Sequence, residues 1–223
     1  MTSRDLRSAW HSIRDTGDAT SNALEDESAW WRAVVELLWG DAEAAAEVVR
    51  SLKFGPLATA GQCAAASPAS LMAALEEVPR GPQKSSVLIR LAQWWGEEFG
   101  DDDSPEWRAD IEHYRAALRS IRGIGPETAD RLLLFAAGRT VFPVDRAILR
   151  IAVRHGWLDW PVDDESAQSS LVSAFGSDVP EMQFAARRLK AIGAEFCGRV
   201  PKCEACPLKS WLPEPGPLFV DQC

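Results

Sequence analysis

The chain has 223 residues, of which 46% are hydrophobic and 26% charged, and its formal net charge at pH 7 is -9. That length buries a substantial core in one or two domains, and the acidic balance excludes a protein that coats nucleic acid through bulk charge, so any such contact needs a local basic face. The absence of a long apolar run, a start (MTSRDLRSAW) without a signal-peptide core, and five cysteines gathered mostly late together point to a soluble intracellular monomer with no membrane partner and no secreted disulfide framework.

Residues 1–28 mix charges, Ser, Thr and Gly around Trp10 and are compatible with a short helix or a loose arm. From Ala29 to Leu52, apolar positions recur at helical spacing with a break at Gly40-Asp41, where Asp41 can cap the second of two helices. Gly55-Pro56 interrupts the pattern. Ser67-Pro68 opens a helix to about Glu77, Pro79-Arg80-Gly81-Pro82 ends it, and a further helix over 83–99 should bury Val87, Leu88, Leu91, Trp94 and Trp95. The run from Gly100 to Pro105, with three consecutive aspartates, reads as a solvated loop before a helix over 106–122. No strand alternation is evident, so the fold class expected is all-α.

The stretch from Leu118 to Arg154 departs from the rest. It reads as a helix ending at Arg122, a hairpin Gly123-Ile124-Gly125, a helix opening at Pro126, a break at Gly138 and a helix beginning after Asp145. Pro126 loses nothing at a first helical position, and the glycines can take the φ angles a tight hairpin demands. Backbone N–H groups released by such a turn bind anions, phosphate among them. Between residues 115 and 154 there are eight arginines (115, 119, 122, 131, 139, 146, 150, 154) against three acids (127, 130, 145), a balance of +5 inside the acidic chain. Arg146, Arg150 and Arg154 form one helical stripe and Arg115, Arg119 and Arg122 another; ordinary solvated faces are the bland reading of both.

The hairpin GIGPETAD, followed 18 residues after Glu127 by Asp145 in FPVDRAILR, resembles the helix-hairpin-helix superfamily of base-excision DNA glycosylases, the endonuclease III class. The resemblance spans about Ser28 to Cys206 and is specific over the last 90 residues or so. It implies two helical domains flanking a DNA-binding cleft. The central one would run over 29–138, with the helix-hairpin-helix at about 115–137; the second would combine 1–28 with 139–223 and carry a cysteine loop at 197–223. The implied partner is double-stranded DNA bearing a damaged base. The implied setting is a bacterial cytoplasm or nucleoid, and the wording of the hairpin leans towards the alkylated-purine branch.

The resemblance also implies roles. DNA would be held by Arg122, Gly123, Ile124, Gly125, Glu127 and Thr128 of the hairpin, by Arg146 and Arg150, and by Lys84 of the PQKS turn. Asp145, which spacing alone reads as a helix N-cap, stands where the family has its catalytic aspartate, able to stabilise the positive charge that builds on the sugar. Glu127 stands where members that also cut the backbone have a lysine; a carboxylate cannot form an imine, and an acid in a first helical turn suits the helix dipole. A monofunctional glycosylase using water follows, with lyase activity through another amine, such as Lys84, and a non-catalytic damage-binding paralogue as alternatives.

Cys197, Cys203 and Cys206 form a thiol cluster of the kind that holds metal. The family binds a 4Fe-4S cluster here through four cysteines; this chain has five residues rather than six in the first gap and Leu212 where the fourth ligand should stand, so Cys223 is the expected substitute, with zinc or no metal as alternatives. The family's gap-filling Gln is absent, and Trp39 at that turn reads as core or as a wedge. The three histidines suggest no site.

Overall fold

The structure, a computed structural model, describes residues 3–14, 27–38 and 42–218. Trp39, Gly40, Asp41 and Cys223 lie outside them, and with them the expectations about a capping Asp41, a wedge at 39 and a fourth ligand at 223. Every regular element among the described residues is helical: α1 (Ser3–Ile13), α2 (Ala29–Leu38), α3 (Ala42–Lys53), α4 (Ala60–Ala65), α5 (Pro68–Ala74), α6 (Gly81–Phe99), α7 (Ile111–Ser120), α8 (Pro126–Phe135), α9 (Arg146–Arg154), α10 (Asp164–Phe175) and α11 (Val179–Phe196), then 3-10 turns at Cys203–Ala205 and Lys209–Trp211. The all-α expectation is met. None of these helices is long and apolar enough to cross a membrane. The chain divides into two compact units, residues 21–139 and residues 1–20 with 140–223.

In the first unit, α2 buries nine of its ten residues and packs on α3, α6 and α8. Trp30, Trp95, Phe99, Trp107 and Tyr114 meet edge-on or tilted, with ring centroids 4.8–5.8 Å apart. The indole of Trp95 donates to Asp102 O at 2.8 Å and the amide of Trp30 to Asp103 O at 2.8 Å. The aspartate-rich loop is therefore solvated through its carboxylates and anchored through its carbonyls. Val87, Leu88, Leu91 and Trp95 are buried on α6 as expected, each contributing roughly 1.5–3 kcal/mol; Trp94 is only half-buried. Helix α7 begins at Ile111, five residues later than its periodicity suggests, because Trp107 is drawn into the aromatic cluster and Asp110 supplies the cap, accepting from His113 N at 2.7 Å.

In the second unit α1 packs on α10 and α9 on α11. Trp10 lies edge-on between Phe175 and Phe184 and donates its indole N–H to Glu181. Phe142 stacks on Phe175 at 4.9 Å. The approach of α11 to α9 depends on Gly193: a Cβ there would fall 2.7 Å from the Cβ of Ala147, in the first turn of α9. That turn carries Asp145.

Candidate active site

The hairpin between α7 and α8 is a tight reversal closed by Ile124 N donating to Ile121 O at 2.9 Å, with the Ile124 side chain buried as its anchor. Gly123 has a φ of 103°, and a Cβ there would meet Val87 Cγ2 at 2.5 Å, so both backbone and space require glycine. Gly125 caps α8 with no side-chain hydrogen bond, and Pro126 occupies its first turn. The amides of Arg122, Gly123, Gly125, Glu127 and Thr128 have no acceptor among the described residues. Gly123, Gly125 and Arg122 are exposed. The arrangement is an open row of donors at the positive end of a helix.

Glu127 does not point away into solvent. Arg131, one turn on, donates from Nη1 to Glu127 Oε1 at 2.9 Å, places Nε 3.2 Å from the fully buried carboxylate of Glu36, and bonds Glu36 O through Nη2. The Nε contact is an ion pair without hydrogen-bond alignment. One guanidinium thus ties Glu127, in the first turn of α8, to the end of α2. Lys84 reaches the same end, donating to Leu38 O. Burial, with Arg80 and Arg131 nearby, lowers its pKa from the usual lysine value. Behind the hairpin, Arg115 is turned inward onto Asp130 at 2.7 Å and onto Glu112. Burial pulls the Arg115 guanidinium down, but its bonds to both acids leave it above its ordinary value; burial also raises the Asp130 carboxyl against the pull of Arg115. The pair is a structural tie between α7 and α8, and Arg119 and Arg122 alone of that stripe are exposed.

In the other unit Asp145 is the N-cap of α9, with one oxygen, Oδ1, accepting from Ala147 N at 2.9 Å and Ile148 N at 2.8 Å. Its second oxygen has no partner among the described residues, and the residue is half-buried. A carboxylate oriented by its own helix through one oxygen keeps the other for chemistry.

The stripe on α9 behaves otherwise than a basic face. Arg146 is exposed, but Arg150 Nε donates to Cys197 O at 2.9 Å, and Arg154 is buried at 6% exposure. Arg154 donates to Cys197 Sγ at 3.3 Å, Gly198 O at 2.7 Å and Arg199 O at 3.3 Å. Cys197, Cys203 and Cys206 line one pocket with His155 and Leu212. All three are free thiols, and burial raises the pKa of Cys206. Burial lowers the pKa of His155, whose ring nitrogens face the carbonyls of Ile151 and Leu208. The donor set suits a soft metal centre, and a buried guanidinium with no carboxylate partner among the described residues suits an anionic one. No group of three such side chains among the described residues gathers tightly enough to hold a single metal ion.

Comparison with known proteins agrees with this layout. No protein-family model matches the chain. It is 31% identical over 133 residues to a protein assigned as a DNA repair glycosylase in Methanocaldococcus jannaschii, covering 57% of this chain and 59% of that one. It is 31% identical over 124 residues to DEMETER-like protein 2 of Arabidopsis thaliana, covering 47% of this chain and 9% of that one. The matched stretch thus spans less than two thirds of either relative. Among solved structures, a trapped endonuclease III–DNA covalent intermediate superposes with a TM-score of 0.71 at 18% identity, covering 96% of this chain and 97% of that one. A thermostable thymine-DNA glycosylase gives 0.67 at 15% identity, covering 94% and 93%. With an uncapped hairpin, an aspartate at the head of the next helix and these structural neighbours, the chain has the fold of the helix-hairpin-helix DNA glycosylases of the endonuclease III class.

Proposed function

We propose that the protein is a base-excision DNA repair glycosylase that hydrolyses the N-glycosidic bond of a damaged base flipped out of duplex DNA, without a covalent enzyme intermediate. The observation that carries this reading is that a chain of this fold has both a row of hairpin amides without acceptors and, in its other unit, an aspartate with one oxygen committed to its helix and one without a partner among the described residues. The amides of Arg122, Gly123, Gly125, Glu127 and Thr128 grip a phosphate, with the Arg122 side chain adding charge there and Arg146 adding charge to the other unit's contact with DNA. As the bond from C1′ to the base nitrogen breaks, the electron pair leaves with the base and positive charge builds on the sugar; Asp145 stabilises that charge and takes a proton from the attacking water. Glu127 offers no amine, and the guanidinium that holds it does not form an imine, which supports hydrolysis over elimination.

Lyase activity is the second reading, favoured by the lowered pKa of Lys84 beside Arg131. The Lys84 contact to Leu38 O weighs against it.

The three free thiols of Cys197, Cys203 and Cys206 line one pocket, and soft thiolates of this kind support a 4Fe-4S cluster, with zinc as the alternative. Cys197, Cys203 and Cys206 would hold the cluster, and its role here is to order the loop after α11. Pro217 lines the same pocket and Leu218 N donates to Arg154 O at 2.9 Å; Cys223, five positions on, is our candidate for the fourth ligand, with Leu212 apolar at the family's position.

One incubation series tests the function. Duplexes carrying alkylated purine, oxidised pyrimidine, uracil, a mismatch or an abasic site are incubated with the protein, with and without alkali. Strand breaks that appear only after alkali support the proposal. Direct nicking with a borohydride-trapped adduct replaces it with the lyase, and retention of damaged duplex without base release replaces it with a binding protein.

A further inference from the structure

The charge around the hairpin extends beyond the arginine-rich stretch. Arg90, on α6 and 25 positions before Arg115, donates from Nε to the carbonyl of Arg122 at 2.9 Å, the residue at which the hairpin turns. Its Nη2 lies 3.6 Å from the point a Cβ of Gly123 would occupy, so the guanidinium lies alongside the glycine's bare backbone. No carboxylate pairs with Arg90 among the described residues. By contrast, among the other part-buried arginines of this unit, Arg115 and Arg131 each meet two acids, and Arg32 and Arg139 each use two nitrogens on two carbonyls. A half-buried cation tethered by one nitrogen, lacking an acid and bordering amides that lack acceptors, is a device for an anion: the tether fixes the plane of the fork and leaves its two amino groups to donate in parallel.

We propose that Arg90 is a phosphate-contacting residue of the hairpin, supplied by α6, whose amino groups engage the same backbone phosphate as the amides of Gly123 and Gly125. This rests on the reading of the hairpin as the grip on duplex DNA. It assigns to the grip a residue outside the motif.

The test is affinity for an undamaged duplex over a range of salt, with the wild-type chain and Arg90→Gln, Arg90→Met and Arg90→Lys, each accompanied by thermal unfolding. Neutralising one phosphate contact lowers the slope of log K against log salt by about one, so Arg90→Gln is expected to bind roughly 5–10-fold more weakly at low salt with that loss of slope. Arg90→Lys is expected to restore the slope. Arg90→Met, which keeps the aliphatic stem, reads the same slope if the Gln variant does not fold. Variants that keep the wild-type slope, whether or not they unfold at lower temperature, overturn the proposal and leave Arg90 a strut for the hairpin. A wild-type chain with no salt-dependent duplex binding overturns the hairpin reading itself, an outcome distinct from equal slopes on a binding background.

Discussion

The arginines before the hairpin, four and three residues apart, and those of α9, four and four apart, both form helical stripes and do opposite work. Around the hairpin, Arg119 and Arg122 face solvent beside open amides, and the only arginine of that stripe turned inward, Arg115, has two acids to meet it. On α9, Arg146 faces solvent while Arg150 and Arg154 turn in and meet no acid among the described residues, bonding the carbonyls and the thiol of the loop that begins at Cys197. A four-residue repeat of positive charge places side chains on one stripe; whether that stripe meets water or protein is decided by segments far along the chain, in this instance residues 197–199. Basic spacing alone therefore does not mark a nucleic-acid face.

The largest effect separating the two regions is expected at Arg154. Replacing it with Met removes the part-buried bonds that the buried guanidinium makes to Gly198 O and Arg199 O, at about 1.5–3 kcal/mol for each charge-assisted bond, and should lower the unfolding temperature by about 5–15 °C while loosening the cysteine loop. An unchanged melting temperature would show that the loop is held by something else. Gly123→Ala comes next: a positive φ and a methyl group driven against Val87 should destabilise the chain by roughly 1–3 kcal/mol and weaken duplex binding, because the amide row is distorted. A variant that unfolds and binds as the wild type does would remove the strained turn from the account. The smallest effect is at Arg122, where Arg122→Gln is expected to change stability by less than about 0.5 kcal/mol yet to lower the salt slope of DNA binding by about one. Measured together, Arg154→Met and Arg122→Gln sharpen the contrast, one altering stability and the other binding.

Much of this architecture is readable from the chain. The hairpin, Pro126 in the first turn of α8 and Asp145 ahead of α9 follow from local rules about caps and turns, and these rules act within a few residues. The core of α6 follows from its periodicity. What escapes is either short or set from a distance. Helix α4 has six residues of Ala, Gly, Gln and Cys with no apolar period; its signal is the reciprocal cap between Thr59 and Gln62, easily missed without a hydrophobic run behind it. The late start of α7 reflects Trp107 joining an aromatic cluster built from α2, α6 and α7 itself. Arg131 escapes as the holder of Glu127 because its second acid, Glu36, lies 95 positions earlier. Arg90 escapes because it sits outside the charged stretch, in a helix whose pattern announces only a core.

The central claim is that Asp145 performs two tasks with two oxygens, capping α9 with one and serving the sugar with the other. Asn caps a helix nearly as well as Asp, so Asp145→Asn should fold and hold duplex DNA while losing the ionised group. Single-turnover release of the preferred damaged base, measured beside duplex affinity, is the direct test. We expect release to fall by about 10²–10⁴-fold with affinity within about threefold of the wild type; an Asn variant that frees the base at the wild-type rate would contradict the account.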